Sequence, residues 1–153
     1  MKYRLIAVGR LREPYLVQAR DDFRTRFRRY ESLEEIEIAA ARGDDPVRAM
    51  REESARIAGH LMPSDRVWLL ERTGTELSSP ELSRRLSALA DSGVSRLSLV
   101  VAGTYGADPA LIERADFSWS LGRLTFLHEW ARAIVLEQLY RAAKIARNEP
   151  YHH

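Results

Sequence analysis

The segment that most constrains the fold of this chain is its C-terminal stretch, where residues 126–147 predict one long helix. Apolar residues fall on nearly every face of that helix, and a helix without a clean polar face needs protein on more than one side. A polar tail follows it, formed by Asn148, Glu149, Pro150, Tyr151, His152 and His153. Because the tail begins directly beyond a buried helix, we expect Tyr151 and His152 to reach a binding site rather than to extend into solvent.

The rest of the chain alternates strand-like and helical patterns. The predicted strands cover residues 3–8, 33–40, 65–71, 97–102 and 116–121. The predicted helices before the long one cover residues 14–30, 46–61, 79–93 and 109–115. Such alternation is typical of an α/β fold with a mainly parallel sheet flanked by helices. The strand over residues 97–102 is the most apolar and is expected at the centre of the sheet.

Local signals define some of the boundaries between these elements. Asp45 and Ser79 are expected to cap the second and third helices, because each precedes a proline that is tolerated in a first helical turn. Residues 72–76 are expected to form a loop, since they combine glycine, threonine and charged residues.

Length and composition narrow the class of protein. The 153 residues predict a single domain over residues 1–153. The chain has no cysteine and therefore no disulfide or thiolate ligand, and since no His–carboxylate cluster is present we expect no metal. No apolar run approaches the ~18 residues that a membrane span needs, and the N-terminus is charged too early for a signal peptide. We therefore expect a cytoplasmic protein without membrane contact.

Charge is unevenly distributed along the chain. Residues 1–30 carry nine Lys and Arg against three Asp and Glu, whereas residues 31–60 carry four against eight. Within the basic segment Arg20, Arg24 and Arg28 recur at every fourth position, on one face of the first helix. Two interpretations of this stripe stay open, contact with RNA phosphates and an ordinary solvated helix face.

Three glycine-bearing segments follow predicted strands, at residues 70–74, 102–106 and 121–126. Ligands of open α/β sheets bind outside the carboxyl ends of the strands, so these segments are candidates for a binding site. None of them is a GxGxxG or P-loop motif, and from the residues alone they could equally be tight turns. His128 stands in the first turn of the long helix, where a neutral imidazole is favoured; the alternative is a half-buried helical histidine.

A set of motifs then appears in order along the chain, with the C-terminal third the most specific part. They are Leu70-Glu71-x-x-Gly74, Gly103-x-x-Gly106, Trp119-Ser120-Leu121-x-x-Leu124-Thr125, His128, Arg132, the run Glu137-Gln138-Leu139-Tyr140-Arg141-Ala142, and Pro150-Tyr151-His152. Through these residues the sequence resembles the RlmH-type methyltransferases of the SPOUT superfamily over essentially its whole length. The resemblance implies methylation of N3 of a pseudouridine in 23S ribosomal RNA, on assembled ribosomes, with S-adenosylmethionine as methyl donor. It also implies a homodimer and a C-terminal trefoil knot.

The resemblance further implies a set of site residues. The donor pocket would be lined by Leu70, Ala102, Gly103, Leu121, Gly122, Arg123, Leu124, Thr125 and Phe126. The residues implied at the reacting base are His152, for contact with it, Tyr151, for stacking or hydrogen bonding, Arg132, for phosphate or developing charge, and His128. Several positions depart from the usual pattern; among them, Tyr105 stands where an acid is usual and Glu149 where a histidine is frequent.

Two other classes of function are compatible with the sequence. The chain could be a non-catalytic module that binds RNA or the ribosome through the same fold. A small-molecule-binding α/β protein is a third interpretation, because the glycine-bearing segments carry no specific nucleotide motif.

Overall fold

A computed structural model describes residues 1–150 and contains every strand and helix that the sequence predicts. The strands are β1 (Lys2–Val8), β2 (Leu33–Ile38), β3 (Arg66–Glu76), β4 (Arg96–Val101) and β5 (Phe117–Ser120). The helices are α1 (Pro14–Phe27), α2 (Pro46–Ala58), α3 (Ser79–Asp91), α4 (Pro109–Arg114) and α5 (His128–Ala146).

The five strands form one sheet in the order β2-β1-β4-β3-β5, and every pair is parallel. The predicted α/β fold with a mainly parallel sheet is therefore confirmed. Strand β4 lies at the centre as predicted, and Leu97, Leu99 and Val100 are fully buried because helices cover both faces of the sheet.

Each face of the sheet has its own hydrophobic core. One core joins the sheet to α1, α3 and α5, and the other joins it to α2 and α4. Helix α5 packs against both α1 and α3, and its buried residues include Leu136, Leu139 and Ala143. Contact with two helices as well as the sheet explains why α5 has so little polar surface.

Helix starts follow the expected chemistry, with one correction. Asp45 caps α2 by accepting hydrogen bonds from the amides of Val47 and Arg48. The cap of α3 is Ser78 and not Ser79, since Ser78 forms a capping box with Glu81. Ser78 and Ser79 are adjacent, and either could cap the helix. Ser78 is the cap because Glu81, three residues later, accepts a hydrogen bond from the Ser78 amide.

Residues 72–76 do not form the predicted loop, because β3 continues through Glu76. The pairing of β3 with β5 shifts register between Leu70 and Thr75, and both of these residues pair with Trp119. Residues between them bulge out and return to the ladder. Gly74 permits this return, since a Cβ at that position would lie 2.6 Å from the carbonyl oxygen of Ser118.

The arginine stripe of α1 belongs to the contact between α1 and its surroundings, a role that neither sequence interpretation included. Arg24 contacts the carboxylate of Glu35 on β2 at 3.4 Å, and Arg28 donates to the carbonyl oxygen of Leu33 at 2.9 Å. Arg20 lies 2.7 Å from Asp21. The basic first segment and the acidic second segment are therefore partly paired with each other.

None of the helices within residues 1–150 combines the length and hydrophobicity needed to cross a bilayer. The trefoil knot and the extent of the single domain stay predictions.

The close approach of Gly74 to β5 predicts a large effect of a small substitution. We expect Gly74→Ala to lower the free energy of unfolding by ~1–3 kcal/mol, because a backbone neighbour cannot move aside as a side chain can. Gly59→Ala is the matched control, since its Cβ would meet only an ordinary contact at 3.4 Å, and we expect it to change stability by less than ~1 kcal/mol. Urea denaturation measures both, and equal effects would contradict the explanation.

Candidate functional site

The three glycine-bearing segments meet around one cavity of about 300 Å³, which lies beyond the carboxyl ends of β4 and β5 and beside residues 70–72 of β3. This is the edge where ligands of parallel α/β sheets bind. The predicted donor-pocket residues that line the cavity are Leu70, Ala102, Gly103, Leu121, Gly122, Leu124, Thr125 and Phe126. Arg123 is exposed and is not among the lining residues.

Other lining residues are not among the individual donor-pocket residues that the resemblance implied. They include Glu71, Arg72, Thr104, Trp119, Leu127 and Ala131. Glu71, Arg72 and Thr104 lie within the segments 70–74 and 102–106 that the strand–glycine pattern marked as candidates for a binding site. Ala131 had no such signal, because it reaches the cavity only through the position of α5.

Aromatic packing and one serine shape the wall next to β5. Trp119 is buried, and its ring stands edge-on to that of Trp68 with centroids 6.2 Å apart. Ser120 Oγ donates to the carbonyl oxygen of Arg72 at 3.0 Å and accepts from the amide of Gly122 at 3.1 Å. Gly122 has a φ of +133°, which only glycine adopts readily. The start of the third segment is therefore held by β3 and β5.

The segment after β4 forms a tight turn. The amide of Gly106 donates to the carbonyl oxygen of Gly103 at 3.0 Å. Ala102, Gly103 and Thr104 thereby face the cavity with small side chains or none. Backbone groups can then approach a ligand closely, which is the usual function of glycine at such a position.

The first turns of α5 attach to the loop after β1. Arg132 donates to the carbonyl oxygen of Gly9 at 3.0 Å and to Glu37 Oε1 at 2.8 Å. Glu129 accepts from the amide of Arg12 at 3.1 Å. His128 packs so close to Gly9 that a Cβ on that glycine would lie 3.3 Å from its Nε2 atom. These contacts fix the position of the first turns of α5, which contribute His128 and Ala131 to the cavity wall.

The residues predicted to act at the base lie in different places. His128 lines the cavity. Arg132 is 1% exposed, its two terminal nitrogens contact Gly9 and Glu37, and it is not among the cavity-lining residues. Tyr151 and His152 lie outside the described residues.

The beginning of the C-terminal tail is attached to the opposite end of the molecule. Tyr30 donates to Glu149 Oε2 at 2.7 Å, and the Lys144 ammonium lies 3.2 Å from the same oxygen. The hydrogen bond from Tyr30 and that from Lys144 lower the pKa of Glu149, so this carboxylate stays charged at neutral pH.

At a rise of ~1.5 Å per residue, Lys144 stands about 24 Å from His128 along α5.

Apolar side chains are exposed beside the cavity. Leu124 is 74% exposed, Leu127 71% and Trp130 42%. Tyr15 packs against Trp130 with ring centroids 5.7 Å apart. Contiguous exposed apolar groups of this kind are typical of an interaction surface. Within residues 1–150, no group of His, Asp and Glu has the arrangement of a metal site.

Comparison with known proteins gives a consistent result over the full length of the chain. The model of a family described as predicted SPOUT methyltransferase matches residues 1–152. A protein of Rubrobacter xylanophilus named ribosomal RNA large subunit methyltransferase H is 43% identical over 97% of this chain and 96% of its own. Proteins of the same name from Pelobacter propionicus and Acetivibrio thermocellus are 38% and 37% identical. The alignment covers all of both chains in the first case and 99% of each in the second.

The buried position of Arg132 predicts a clear effect on stability. We expect Arg132→Ala to lower the free energy of unfolding by ~3 kcal/mol, because the Gly9 carbonyl and the Glu37 carboxylate lose their partner. Arg132→Lys should recover only part of this loss, since one ammonium cannot reach both acceptors as a guanidinium does. Urea denaturation provides the measurement. Arg123→Ala is the exposed control and should change stability by less than ~0.5 kcal/mol; equal losses at the two positions would contradict this assignment.

Proposed function

The chain belongs to the SPOUT methyltransferase family, and we propose that it transfers the methyl group of S-adenosylmethionine to N3 of a pseudouridine in 23S ribosomal RNA. Relatives that are 33–43% identical carry the name of a large-subunit ribosomal RNA methyltransferase, which supports an RNA substrate. An assembled ribosome is the proposed form of that substrate, and this places the enzyme in the cytoplasm.

The observation that carries the proposal is the cavity beyond the carboxyl ends of β4 and β5. Its wall combines apolar side chains such as Leu70 and Leu121 with the glycine-bearing turns after β4 and β5. S-adenosylmethionine needs flat apolar surfaces for its adenine and a few polar groups for its ribose and its amino acid part. The apolar walls and the backbone of the two turns meet the first need, and Glu71 and Thr104 offer polar groups at the rim.

The bound donor supplies an electrophilic methyl group. The chain has to hold N3 of the base in line with that methyl group and to accept the proton that leaves N3. We assign contact with the base to His152 and stacking or hydrogen bonding to Tyr151. Arg123 is exposed beside the cavity, where it can bind a phosphate, whereas Arg132 positions α5 through Gly9 and Glu37.

The proposed site is shared between two subunits. Glu149 is attached about 24 Å from His128, and three further residues span at most ~10 Å. We infer that the tail serves the cavity of a partner in a homodimer, because its last described part, at Glu149, is attached at the far end of α5 from the cavity. The exposed apolar group of Leu124, Leu127 and Trp130 beside the cavity supports such an interface.

A transfer assay tests the proposed function. We expect labelled methyl groups from S-adenosylmethionine to enter ribosomes or 23S RNA, and His152→Ala to reduce the rate at least about a hundredfold. Affinity for the donor, measured by calorimetry, should stay unchanged in that variant. Binding of RNA without any heat of donor binding would indicate a non-catalytic module. Equal loss of donor binding and transfer in His152→Ala would show that the tail has only a structural role.

Mixing two inactive variants tests the shared site. Gly122→Val should block the cavity, since a β-branched residue cannot adopt the backbone conformation at that position, but it leaves the tail intact. When this variant is mixed with His152→Ala, about half of the dimers are heterodimers with one complete site, so about a quarter of the wild-type rate should return. Light scattering confirms that each variant remains dimeric. If no activity returns between dimeric variants, cavity and tail act within one subunit.

A further inference from the structure

Glu53 is a buried carboxylate to which the proposed reaction assigns no role. It lies on α2 and is 5% exposed. Its Oε1 atom accepts from the amide of Ala41 at 2.9 Å, whereas its Oε2 atom is buried without a hydrogen-bond partner in residues 1–150. An unpaired oxygen of a buried carboxylate is costly, so its position requires an explanation.

The unpaired oxygen lies against the turn that lines the cavity. A Cβ placed on Gly103 would overlap Glu53 Oε2 and would lie 3.2 Å from Val8 Cγ1. The φ angle of Gly103 is outside the left-handed region, so its backbone conformation does not demand glycine. A larger residue at position 103 would therefore have to displace the Glu53 carboxylate, which occupies the space behind the turn and is held by the amide of Ala41.

The next residue of α2 holds the far end of the same turn. Ser54 is 2% exposed, and its Oγ atom accepts from the amide of Asp108 at 2.9 Å. Asp108 in turn caps α4. Two consecutive residues of α2 therefore contact the segment between β4 and α4 from behind, while Gly103 and its neighbours face the cavity.

We propose that Glu53 is a positioning residue for the donor pocket, and that its carboxylate sets how far the turn after β4 extends into the cavity. This inference rests on the proposed function of the cavity as the site of S-adenosylmethionine. Glu53 is not among the cavity-lining residues, so it acts through Gly103 and not by contact with the donor. The expected consequence is a change in donor affinity with little change in the rate of the bound complex.

Calorimetry with S-adenosylmethionine on the full-length protein tests this inference. Glu53→Ala removes the support of the turn and should weaken donor binding about tenfold. Glu53→Gln keeps the shape and the acceptor for Ala41, and should bind within about twofold of wild type. In transfer assays the KM for the donor should rise in Glu53→Ala while kcat changes less than about twofold. Glu52→Gln, on the same helix but outside these contacts, is the control and should leave affinity unchanged.

A double substitution separates positioning from general stability. Gly103→Ala should weaken donor binding about tenfold, because its methyl group fits only if the turn or the Glu53 carboxylate moves. Adding Glu53→Ala removes the obstacle, so the double variant should bind the donor more tightly than Gly103→Ala alone. If the two substitutions acted only by weakening the fold, the double variant would instead bind the donor more weakly than either single variant. Urea denaturation of each variant records stability separately from affinity.

Each outcome has a definite meaning. Donor binding by Glu53→Ala equal to that of wild type, or a double variant weaker than both single variants, overturns the positioning role alone. Absence of donor binding by the wild-type protein overturns the proposed function and this inference with it. If Glu53→Ala does not fold, Glu53→Asp replaces it, because aspartate withdraws the carboxylate by one methylene group. Glu53→Asp should then bind the donor more weakly than wild type, and Glu53→Asp combined with Gly103→Ala should bind it more tightly than Gly103→Ala alone.

Discussion

Burial of α5 on several sides is the constraint on which the rest of the structure depends. The helix packs on the sheet and against both α1 and α3, and this position brings its first turn to the cavity. Arg132 then joins the helix to Gly9 and Glu37. Because the Arg132 side chain is buried and bonded to Gly9, the start of α5 and the end of β1 keep one relative position. The cavity wall that runs from Leu121 to His128 joins α5 next to these Arg132 contacts.

Parallel pairing of all five strands gives the two edges of the sheet different roles. The carboxyl ends hold the cavity, whereas the tail is attached through Tyr30 and Glu149 just before β2 begins, at the amino ends. The length of α5 separates the two by about 24 Å. The proposed site uses both features and therefore takes them from two subunits, and the exposed apolar side chains beside the cavity support that proposal.

Most elements could be predicted from the sequence because they depend on local patterns. Strand alternation, proline positions and the capping residue Asp45 are properties of short segments, and the structure confirms them. The extension of β3 through Glu76 was missed because its cause is not local. Gly74 permits the backbone of β3 to approach Ser118 of β5. Because of this contact with a strand far away in the sequence, β3 resumes its pairing with β5 and extends to Glu76.

Short patterns and ordered motifs were enough to predict the α/β fold, the order of elements, the family and most of the cavity wall. Three contacts became visible only in the folded chain: Arg132 buried against Gly9 and Glu37, Arg24 paired with Glu35 of β2, and Glu53 behind Gly103. The physical reason is that these contacts join residues far apart in the chain. Their distances depend on how helices pack on the sheet, and no periodicity within one segment encodes them.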